Sequence, residues 1–589
     1  MKRMHLTAVL LLGLLIAALA PAATAKPVPG GPAEKNAQTT EIQILALNDF
    51  HGQLEPGNPV DSSGFRIGSL TGGACVAPAC VPAGGVAYLA THVRNLRAEN
   101  PNTLFVSAGD LIGATPLLSA LFHDEPSIEA FNLMDLDYNG VGNHEFDEGV
   151  DELLRMQYGS QLGGDGCHPD DGCGDETPFH GAEFDFLAAN VAYKETGETI
   201  FEPYAIHHFD GVKVGIIGMT LEGTPTIVEP GGIASVNFLD EAETVNALVP
   251  ELKRQGVETI IVLLHEGGSV AASGNGAGNV GTINSCTNPT GALPPIVDAM
   301  DDEVDVVVTG HTNWAVNCVI DGKVVTGAAS QGRLITKIDL TLSRATKDVV
   351  GPILVDNRIV TRDVTPAPDL LALIDHYNVF AEPIASVVVG QTTGPITRAQ
   401  DESGESQLGN LIADAQLESS QEAGAGGQIA FMNPGGIRAD IGSGGDLTHG
   451  EAFAVQPFSN ILVTMDLTGA QIETLLEQQF MNALATPPTA RTVVLGPSNG
   501  FTYTWKASGP IGDKVDPATI MLTGSPIVAT TVDRVTVNSF LATGGDIFPV
   551  LNEGTNRTFG ADDLVALEAY FADHSPVSPP ALDRITRIP

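Results

Sequence analysis

Five apolar runs of the chain each end on polar residues of the kinds that bind metal ions. The runs are rich in Val, Ile and Leu, as β-strands are, and stretches with helical spacing separate them. This alternation predicts an α/β domain with a parallel sheet, in which the carboxyl ends of the strands meet at one edge, so we expect the polar residues to converge there. The strand ends are ILALNDFH, TLFVSAGD, GVGNHEFD, TIIVLLHE and VDVVVTGHTN, and they carry Asp49, His51, Asp110, Asn143, His144, His265, His311 and Asn313.

The side chains at these strand ends favour a site for two metal ions. They are carboxylates, imidazoles and amides without a thiolate, a set that suits divalent Zn, Mn or Mg. An isolated D-x-H after a strand is more often an ordinary polar loop, but five such endings in order are hard to attribute to chance. Asp110 is the carboxylate placed to bridge the two ions.

The blocks D-x-H, G-D, G-N-H-E-x-D, H-E and G-H-T-N resemble, in this order, those of the calcineurin-like metallophosphatases. Their order and the chain length are similar to those of the bacterial and animal 5'-nucleotidase family, which includes UDP-sugar hydrolases. The resemblance covers nearly all of the mature chain, because a second set of blocks recurs downstream. It implies an α/β fold with a four-layer α/β/β/α metallophosphatase domain, a connecting helix and a smaller α+β C-terminal substrate-binding domain. It also implies two divalent metal ions as cofactors and a small-molecule nucleotide as substrate.

The residue types indicate different roles within such a site. His144, beside the ligand Asn143, is expected to stabilise the transferring phosphoryl group. Asp147 is placed to hydrogen-bond the other ring nitrogen of His144 and keep the imidazolium form. The alternative for His144 is a purely structural histidine. We assign one ion to Asp49, His51, Asp110 and Asn313, and the second to Asp110, Asn143, His265 and His311.

Changes in the pattern divide the chain into segments. Residues 1–25 contain two basic residues, an apolar run and a small-residue cleavage site, which is typical of a secretory signal. We therefore expect a secreted or extracytoplasmic protein, periplasmic or extracellular. Residues 26–40 are predicted to be a linker, 41–345 the metallophosphatase domain, 346–384 a linker with the connecting helix, and 385–589 the C-terminal domain. No later run approaches the length of a membrane span.

The chain is strongly acidic, with 28 Lys and Arg against 71 Asp and Glu and a net charge of −43. Such a surface repels nucleic acid and phosphate esters alike, so no nucleic-acid partner is expected. Positive charge for a phosphate must come from metal ions and a few placed arginines. We expect a monomer or a dimer.

The six cysteines are expected to form disulfides, since an even count in an exported chain favours them. Among fifteen possible connectivities, the most economical joins Cys75 to Cys80, Cys167 to Cys173 and Cys286 to Cys318. A structural zinc cluster is the alternative, although C-x4-C and C-x5-C lack its short paired spacing.

The second domain contains a strand followed by a Gly-rich turn, FMNPGGIRADI. An arginine two residues after a Gly pair can be held rigidly toward a phosphate, which makes Arg438 a candidate ligand. In the family that the chain resembles, the N-x-G-G-I-R block binds substrate, and Asn433, Gly436 and Arg438 match it. The family often has two arginines earlier in this domain, of which Arg398 matches the first.

Two phenylalanines on turn-rich segments are candidates for holding a base. Phe458 and Phe548 match the pair that sandwiches the base in the family, and a base between two rings gains stacking contact. The alternative is that either ring belongs to the core. Asp546 is then expected to meet the ribose hydroxyls.

Four functions remain open at this point. The first is an exported 5'-nucleotidase that hydrolyses nucleoside 5'-monophosphates, with UDP-sugars or other nucleotides as further substrates. The second is a 2',3'-cyclic nucleotide 2'-phosphodiesterase/3'-nucleotidase, which shares the same blocks. The third is a sulfur-compound hydrolase, which would not need a base clamp. The fourth is an inactive binding protein, which the presence of every expected metal ligand disfavours.

Overall fold

The computed structural model describes residues 38–59, 65–72, 74–169, 172–270, 280–442, 444–458, 460–485 and 487–589. The predicted signal segment and most of the linker after it lie outside the described residues. Within the described ranges, no helix is long and apolar enough to cross a membrane.

The N-terminal half contains eighteen strands and six α-helices among its described residues. Its strands are β1 Thr39–Leu47, β2 Arg66–Gly68, β3 Cys80–Pro82, β4 Thr103–Ser107, β5 Tyr138–Gly140, β6 Asp185–Leu187, β7 Val191–Tyr193, β8 Tyr204–Phe209, β9 Val212–Thr220, β10 Val236–Phe238, β11 Thr259–His265, β12 Gly268–Val270, β13 Pro289–Gly291, β14 Val306–Thr309, β15 Ala315–Ile320, β16 Lys323–Ala328, β17 Leu334–Ser343 and β18 Leu354–Ile359. Its helices are α1 Val86–Glu99, α2 Leu117–Ala120, α3 Glu125–Leu133, α4 Val150–Tyr158, α5 Glu241–Arg254 and α6 Leu293–Ala299.

Two six-stranded sheets pack face to face in this half. Their strand orders are β18-β17-β1-β4-β5-β6 and β15-β16-β14-β11-β9-β8. Fully buried aliphatic side chains such as Ile44, Val106, Ile216 and Leu263 fill the space between them. Helices α1, α3 and α4 cover the outer face of the first sheet, and α5 and α6 cover that of the second. This is the four-layer α/β/β/α arrangement, so the prediction of the fold class is confirmed.

The central strands of both sheets run in parallel, which brings their carboxyl ends to one edge. In the first sheet β1 pairs with β4, with Leu47 opposite Ser107. In the second sheet β11 pairs with both β9 and β14 in parallel. The carboxyl-terminal part of each strand is mainly apolar and fully buried, and the chain becomes polar where the strand leaves the core. The loops that follow these strands carry the predicted metal ligands.

A single long helix, α7 Pro368–Ala385, leads to the second domain, over the segment for which the sequence predicts a helix. Its buried face, which includes Leu370, Ile374 and Tyr377, packs into the core of the first domain. The N-terminal sheet extends further than the predicted boundary at residue 345, because β18 pairs with β17 across residues 354–359. Only one side chain of β18, that of Asn357, is fully buried, so this edge strand has little apolar signal.

The C-terminal domain combines two mixed sheets with helices, as predicted for an α+β domain. Its strands are β19 Val388–Thr392, β20 Ile429–Met432, β21 Gly445–Thr448, β22 Ile461–Thr468, β23 Met481–Asn482, β24 Thr489–Ala490, β25 Gly496–Pro497, β26 Phe501–Lys506, β27 Met521–Leu522, β28 Ser525–Pro526, β29 Val532–Asn538, β30 Thr555–Asp562 and β31 Ile585–Ile588. Its helices are α8 Gln407–Glu422, α9 His449–Val455, α10 Gly469–Gln478, α11 Ser539–Ala542 and α12 Asp563–His574. The main sheet has the order β25-β20-β29-β22-β30, and a second has the order β28-β27-β26-β31. Leu117 of α2 packs into the core of this domain, which holds the two domains in contact.

Three disulfide bridges are present, and they confirm the predicted pairing. Cys75 is bonded to Cys80, and Cys167 to Cys173. The third bridge joins Cys286 to Cys318 on β15, a strand that begins shortly after the loop with His311. It therefore ties the segment just before β13 to β15, the edge strand of the second sheet.

Candidate two-metal active site

Asp110 lies at the centre of the converging side chains and is almost completely buried. Its Oδ2 is 3.0 Å from His265 Nε2 and 3.7 Å from His51 Nε2. Asn143 Oδ1 lies 3.2 Å from His265 Nε2 and 2.9 Å from His311 Nδ1. Two groups of potential ligands, one with His51 and one with His265 and His311, thus share the carboxylate of Asp110.

In the group that contains Asp110, Asn143, His265 and His311, oxygen and nitrogen lone pairs lie close together. A positive charge between them is needed to offset their repulsion. His265 Nδ1 lies 2.6 Å from the carbonyl oxygen of Ala108, to which it donates, so Nε2 turns toward Asp110 and Asn143. Burial acts to lower the pKa of His265, but the charge of Asp110 outweighs it and raises the pKa to about 10. Without an ion, a proton on Nε2 supplies the positive charge. A divalent ion bound by His265 would take the place of this proton, because imidazole binds metal ions in its neutral form.

The first group contains a buried oxygen that an ion would satisfy. Asp49 is fully buried, and its Oδ1 has no hydrogen-bond partner among the described residues. Its Oδ2 accepts a hydrogen bond of 2.5 Å from the side-chain amide of Asn48, which fixes the carboxylate. His51 Nε2 is 4.0 Å from Asp49 Oδ1, while Nδ1 donates to the carbonyl of Gly113 at 2.9 Å. Burial lowers the pKa of His51 to about 3, which keeps the imidazole neutral, as a metal ligand must be.

The backbone at the site is held in an uncommon conformation. Five of the predicted ligands have a positive φ between 49° and 65°, a region that non-glycine residues seldom adopt. Such strain clusters at functional sites, where the surrounding structure fixes it. The five residues are Asp49, His51, Asp110, His311 and Asn313. Asn313 donates its side-chain amide to the carbonyl of His311 at 3.1 Å, which connects the two predicted ligands of this loop.

Glu145 organises these loops, a role that the sequence analysis did not assign. Its carboxylate accepts hydrogen bonds from the backbone N–H groups of Asp110, Leu111 and Gly142, at 2.8 to 2.9 Å. Burial and the nearby charge of Asp110 raise the pKa of Glu145 to about 7. A Cβ at Gly142 would lie 2.3 Å from Asp110 Oδ1, so only glycine fits there. The signal in the sequence was the acidic residue directly after G-N-H.

His144 and Asp147 form the predicted hydrogen bond, with Nδ1 and Oδ2 2.7 Å apart. The backbone N–H of His144 donates to Asp110 Oδ1 at 2.9 Å, which fixes the imidazole beside the predicted metal ligands. Burial acts to lower the pKa of His144, but the carboxylates of Asp147 and Asp110 outweigh it and raise the pKa. With Nδ1 bonded to Asp147, Nε2 is the atom available to a substrate.

A cavity of about 580 Å³ lies between the two domains and opens onto this site. The first domain contributes the side chains of Asn143, His144, Asp147 and His311 to its wall. The second domain contributes a larger set, which includes Asn433, Gly436, Arg438, Phe458, Asn538, Phe540 and Asp546. Five of the substrate-binding residues predicted from the sequence therefore line the cavity. Arg398 and Phe548 are not in its lining.

Phe548 is a core residue, and the prediction that it stacks on a base is wrong for this structure. The side chain is fully buried among the apolar residues of the C-terminal core, and the guanidinium of Arg491 lies 4.9 Å from its ring centroid. Asp546 has a φ of 51°, and the chain beyond this turn directs Phe548 inward. No face of its ring is open to a ligand.

Phe540, which the sequence analysis did not single out, lines the same cavity as Phe458. Its ring is partly exposed in the cavity wall. Phe540 belongs to α11, and Asn538 caps this helix by accepting a hydrogen bond of 2.9 Å from the backbone N–H of Leu541. Asn460 Oδ1 accepts from the backbone N–H of Phe540 at 3.4 Å. A usable signal was present in the sequence, because N-S-F-L-A-T-G-G-D places a second phenylalanine just before the G-G-D block.

A chain of side-chain amides connects the cavity residues of the second domain. Asn538 Nδ2 donates to Asn433 Oδ1 at 3.0 Å, and Asn433 Nδ2 donates to Asp546 Oδ2 at 2.8 Å. Each amide thereby has a fixed orientation. Burial raises the pKa of Asp546, while the hydrogen bond from Asn433 opposes this shift.

The guanidinium of Arg438 and the partly exposed ring of Phe458 lie close together at the boundary between the domains. The guanidinium of Arg438 lies 5.7 Å from the ring centroid of Phe458, and the ring of His144 lies 6.1 Å from the same centroid. Arg398 is exposed beside this group and donates to the carbonyl of Ile437 at 3.0 Å. Arg438 is therefore the arginine that the structure places in the cavity wall.

Comparisons with known proteins match both halves of the chain. Residues 42–314 match the model of the calcineurin-like phosphoesterases, and residues 388–553 match the 5'-nucleotidase C-terminal domain. The crystal structure of a 5'-nucleotidase precursor from Thermus thermophilus superposes with a TM-score of 0.71 and 25% identity, covering 93% of this chain and 99% of that one.

Two curated relatives are 33% identical to this chain. The cell wall protein Lmo0130 of Listeria monocytogenes aligns over 95% of this chain and 70% of its own length. Endonuclease YhcR of Bacillus subtilis aligns over 90% of this chain, which spans only 39% of that relative.

Proposed function

We propose that this chain, which belongs to the calcineurin-like phosphoesterases with a 5'-nucleotidase C-terminal domain, hydrolyses nucleoside 5'-monophosphates to nucleoside and phosphate. The observation that carries the proposal is the composition of one cavity. Its wall combines the metal-ligand loops, His144 and Arg438 with two partly exposed phenylalanine rings and with Asp546. These three sets of groups suit a phosphoryl group, a base and a ribose, respectively.

Two divalent ions held around Asp110 would activate a water molecule and neutralise the phosphoryl oxygens during in-line attack. His144, protonated and oriented by Asp147, donates from Nε2 to a phosphoryl oxygen as its charge develops. Arg438 supplies the further positive charge that a very acidic protein otherwise lacks around a phosphate. Zn, Mn and Mg all suit the ligand set.

The second domain holds the nucleoside in this proposal. Phe458 and Phe540 offer ring faces to the base, a contact that tolerates different bases. Asp546, oriented by Asn433, accepts hydrogen bonds from the ribose hydroxyls. A sulfur-compound hydrolase has no use for these groups, so they favour a nucleotide. They also suit a UDP-sugar or a 2',3'-cyclic nucleotide, which are the second candidates.

We further propose that the protein acts outside the cytoplasm. The three disulfides of the described residues support this location, because such bonds persist in oxidising compartments. The signal segment predicted at residues 1–25 agrees with it. The net charge of −43 argues against a long nucleic acid as the substrate, although one relative carries the name of an endonuclease.

Phosphate release from a substrate panel tests the proposal. Chelated protein is reloaded with Zn, Mn or Mg and given 5'-AMP, 3'-AMP, 2',3'-cyclic AMP, UDP-glucose and single-stranded DNA. We expect the highest kcat/KM with a 5'-monophosphate in at least one metal form, and Asp110→Asn as the matched inactive control. A higher kcat/KM for 2',3'-cyclic AMP or 3'-AMP would replace the proposed activity with the second candidate. Cleavage of DNA alone would contradict both.

A further inference from the structure

A second cluster of possible metal ligands borders the same cavity, apart from the site around Asp110. His123, Glu148 and His168 each offer one nitrogen or oxygen atom, and these atoms lie within 4.8 Å of one another. His123 Nδ1 is 2.9 Å from Glu148 Oε2. The two imidazole rings are nearly parallel, with centroids 3.6 Å apart. All three residues line the cavity that also contains His144.

The segments that carry His123 and Glu148 are fixed by the structure beneath them. His123 precedes Asp124, whose buried carboxylate accepts from the backbone N–H of Gly113 at 2.9 Å and from Ser119 Oγ at 2.6 Å. Glu148 lies in the turn between the G-N-H-E-F-D block and α4. These two ligands therefore keep a defined separation, which a metal site requires.

His168 is held against the other two by a tied loop. It stands between Cys167 and Cys173, which are joined by a disulfide. Arg155, on α4, donates to the carbonyl of Gly166 at 2.9 Å and so attaches the start of this loop to the helix. The side chain of His168 is only 14% exposed.

We propose that His123, Glu148 and His168 bind a further divalent transition-metal ion, of which Zn²⁺ is the best match. Two imidazoles and one carboxylate form a common zinc ligand set, and a site with three protein ligands leaves a position for water. Metal–nitrogen distances of about 2.0 to 2.1 Å place ligand atoms roughly 3.3 Å apart in a tetrahedral site. The three ligand atoms already lie within 4.8 Å of one another, and a turn of one imidazole ring is needed to bring them to this geometry.

Metal binding must change the arrangement of the two rings. The lone pair of each imidazole lies in the ring plane, so parallel rings cannot both direct a nitrogen at one ion. One ring has to turn out of the stack. This movement should shift the NMR resonances of the His123 and His168 rings. The bound ion then adds positive charge to the part of the cavity wall that the first domain forms, whereas Arg438 adds it from the second domain.

Metal counting on the full-length protein tests this proposal. Protein equilibrated with Zn²⁺ and then freed of unbound ion is expected to contain three equivalents by mass spectrometry. His168→Ala and Glu148→Gln should each contain two. His180→Ala is the matched control, because His180 follows the same disulfide loop and bonds to Ser160 instead, and it should contain three. Glu148 is half exposed, so its conservative variant should fold even if His168→Ala does not.

A second variant separates this site from the proposed active site. Asp110→Asn should lose ions from the centre around Asp110 while the ion at His123, Glu148 and His168 remains. When Co²⁺ replaces Zn²⁺ in the Asp110→Asn protein, the remaining ion should give a visible absorption spectrum. Adding Glu148→Gln to this variant should abolish that spectrum. The proposal is overturned if wild-type protein binds two equivalents that Glu148→Gln leaves unchanged, or if the Asp110→Asn protein binds none.

Discussion

Phe540→Ala should weaken nucleotide binding, because Phe540 and not Phe548 lines the cavity together with Phe458. Stacking on one aromatic side chain contributes about 1 to 3 kcal/mol per base. This corresponds to a rise of roughly 5- to 150-fold in the KM for 5'-AMP, where KM reports binding. Hydrolysis of p-nitrophenyl phosphate, which has no base, should change little, since its phosphoryl group meets the metal site and His144.

Phe548→Leu provides the matched control. Phe548 is fully buried in the C-terminal core, so the smaller side chain should lower the melting temperature. Leucine keeps most of the apolar volume, so the cost in stability should stay below the roughly 3 to 5 kcal/mol that truncation of a buried Phe to Ala entails, which leaves the protein folded for the assay. Its KM for 5'-AMP should stay close to that of the wild type.

The two variants are compared by the ratio of kcat/KM for 5'-AMP to that for p-nitrophenyl phosphate. This ratio removes any loss from misfolded protein, which also matters for Phe540 because Gly545 packs closely against its ring. A ratio that falls in Phe548→Leu and not in Phe540→Ala would refute the assignment of the two rings. An equal loss on both substrates for Phe540→Ala would make Phe540 a structural residue.

Other parts of the site give further predictions. Asp110→Asn should abolish turnover and lower the metal content, because both groups of ligands share this carboxylate; activity above a few per cent with both ions bound would remove the bridging role. His144→Ala should lower kcat by roughly 10² to 10⁴ with little change in KM, as for a group that acts in the transition state. Asp147→Asn should give a smaller loss of kcat, and a rise in KM alone in either variant would make His144 a ground-state contact. Arg438→Ala should reduce kcat/KM for 5'-AMP in steady-state kinetics. Arg398→Ala is the control, and it should reduce kcat/KM less.

The convergence of the proposed metal ligands could be predicted from the sequence because most of them follow a strand with a strong apolar signal. The parallel sheets determine where those strands end, so the pattern also determines which side chains converge. Asp110 and His265 meet in this way although they follow strands of different sheets, as their 3.0 Å contact shows. The positive φ angles of these loops have no clear signature in the sequence, since Asp49 and His51 are not glycines.

The second domain was harder to predict because its site depends on how short turns direct their side chains. Phe540 and Phe548 lie on either side of the same G-G-D turn, and the sequence does not state which ring faces inward. In the structure, Asp546 and Ile547 both have a left-handed φ, and the ring that follows them is the buried one. The sequence does not show that the N-terminal sheet continues past residue 345, because the edge strand β18 leaves five of its six side chains at least partly exposed. Glu145 was overlooked because its partners are backbone N–H groups, which a sequence pattern does not display.

A crystal structure of the protein with Zn²⁺ and a nonhydrolysable methylene-phosphonate analogue of a nucleotide tests the central claim most directly. Anomalous scattering should show two ions on either side of the Asp110 carboxylate, with the phosphonate between them and His144. The base should lie between Phe458 and Phe540, with the ribose hydroxyls at Asp546. One ion or none at Asp110, or a base bound away from both rings, would contradict the account.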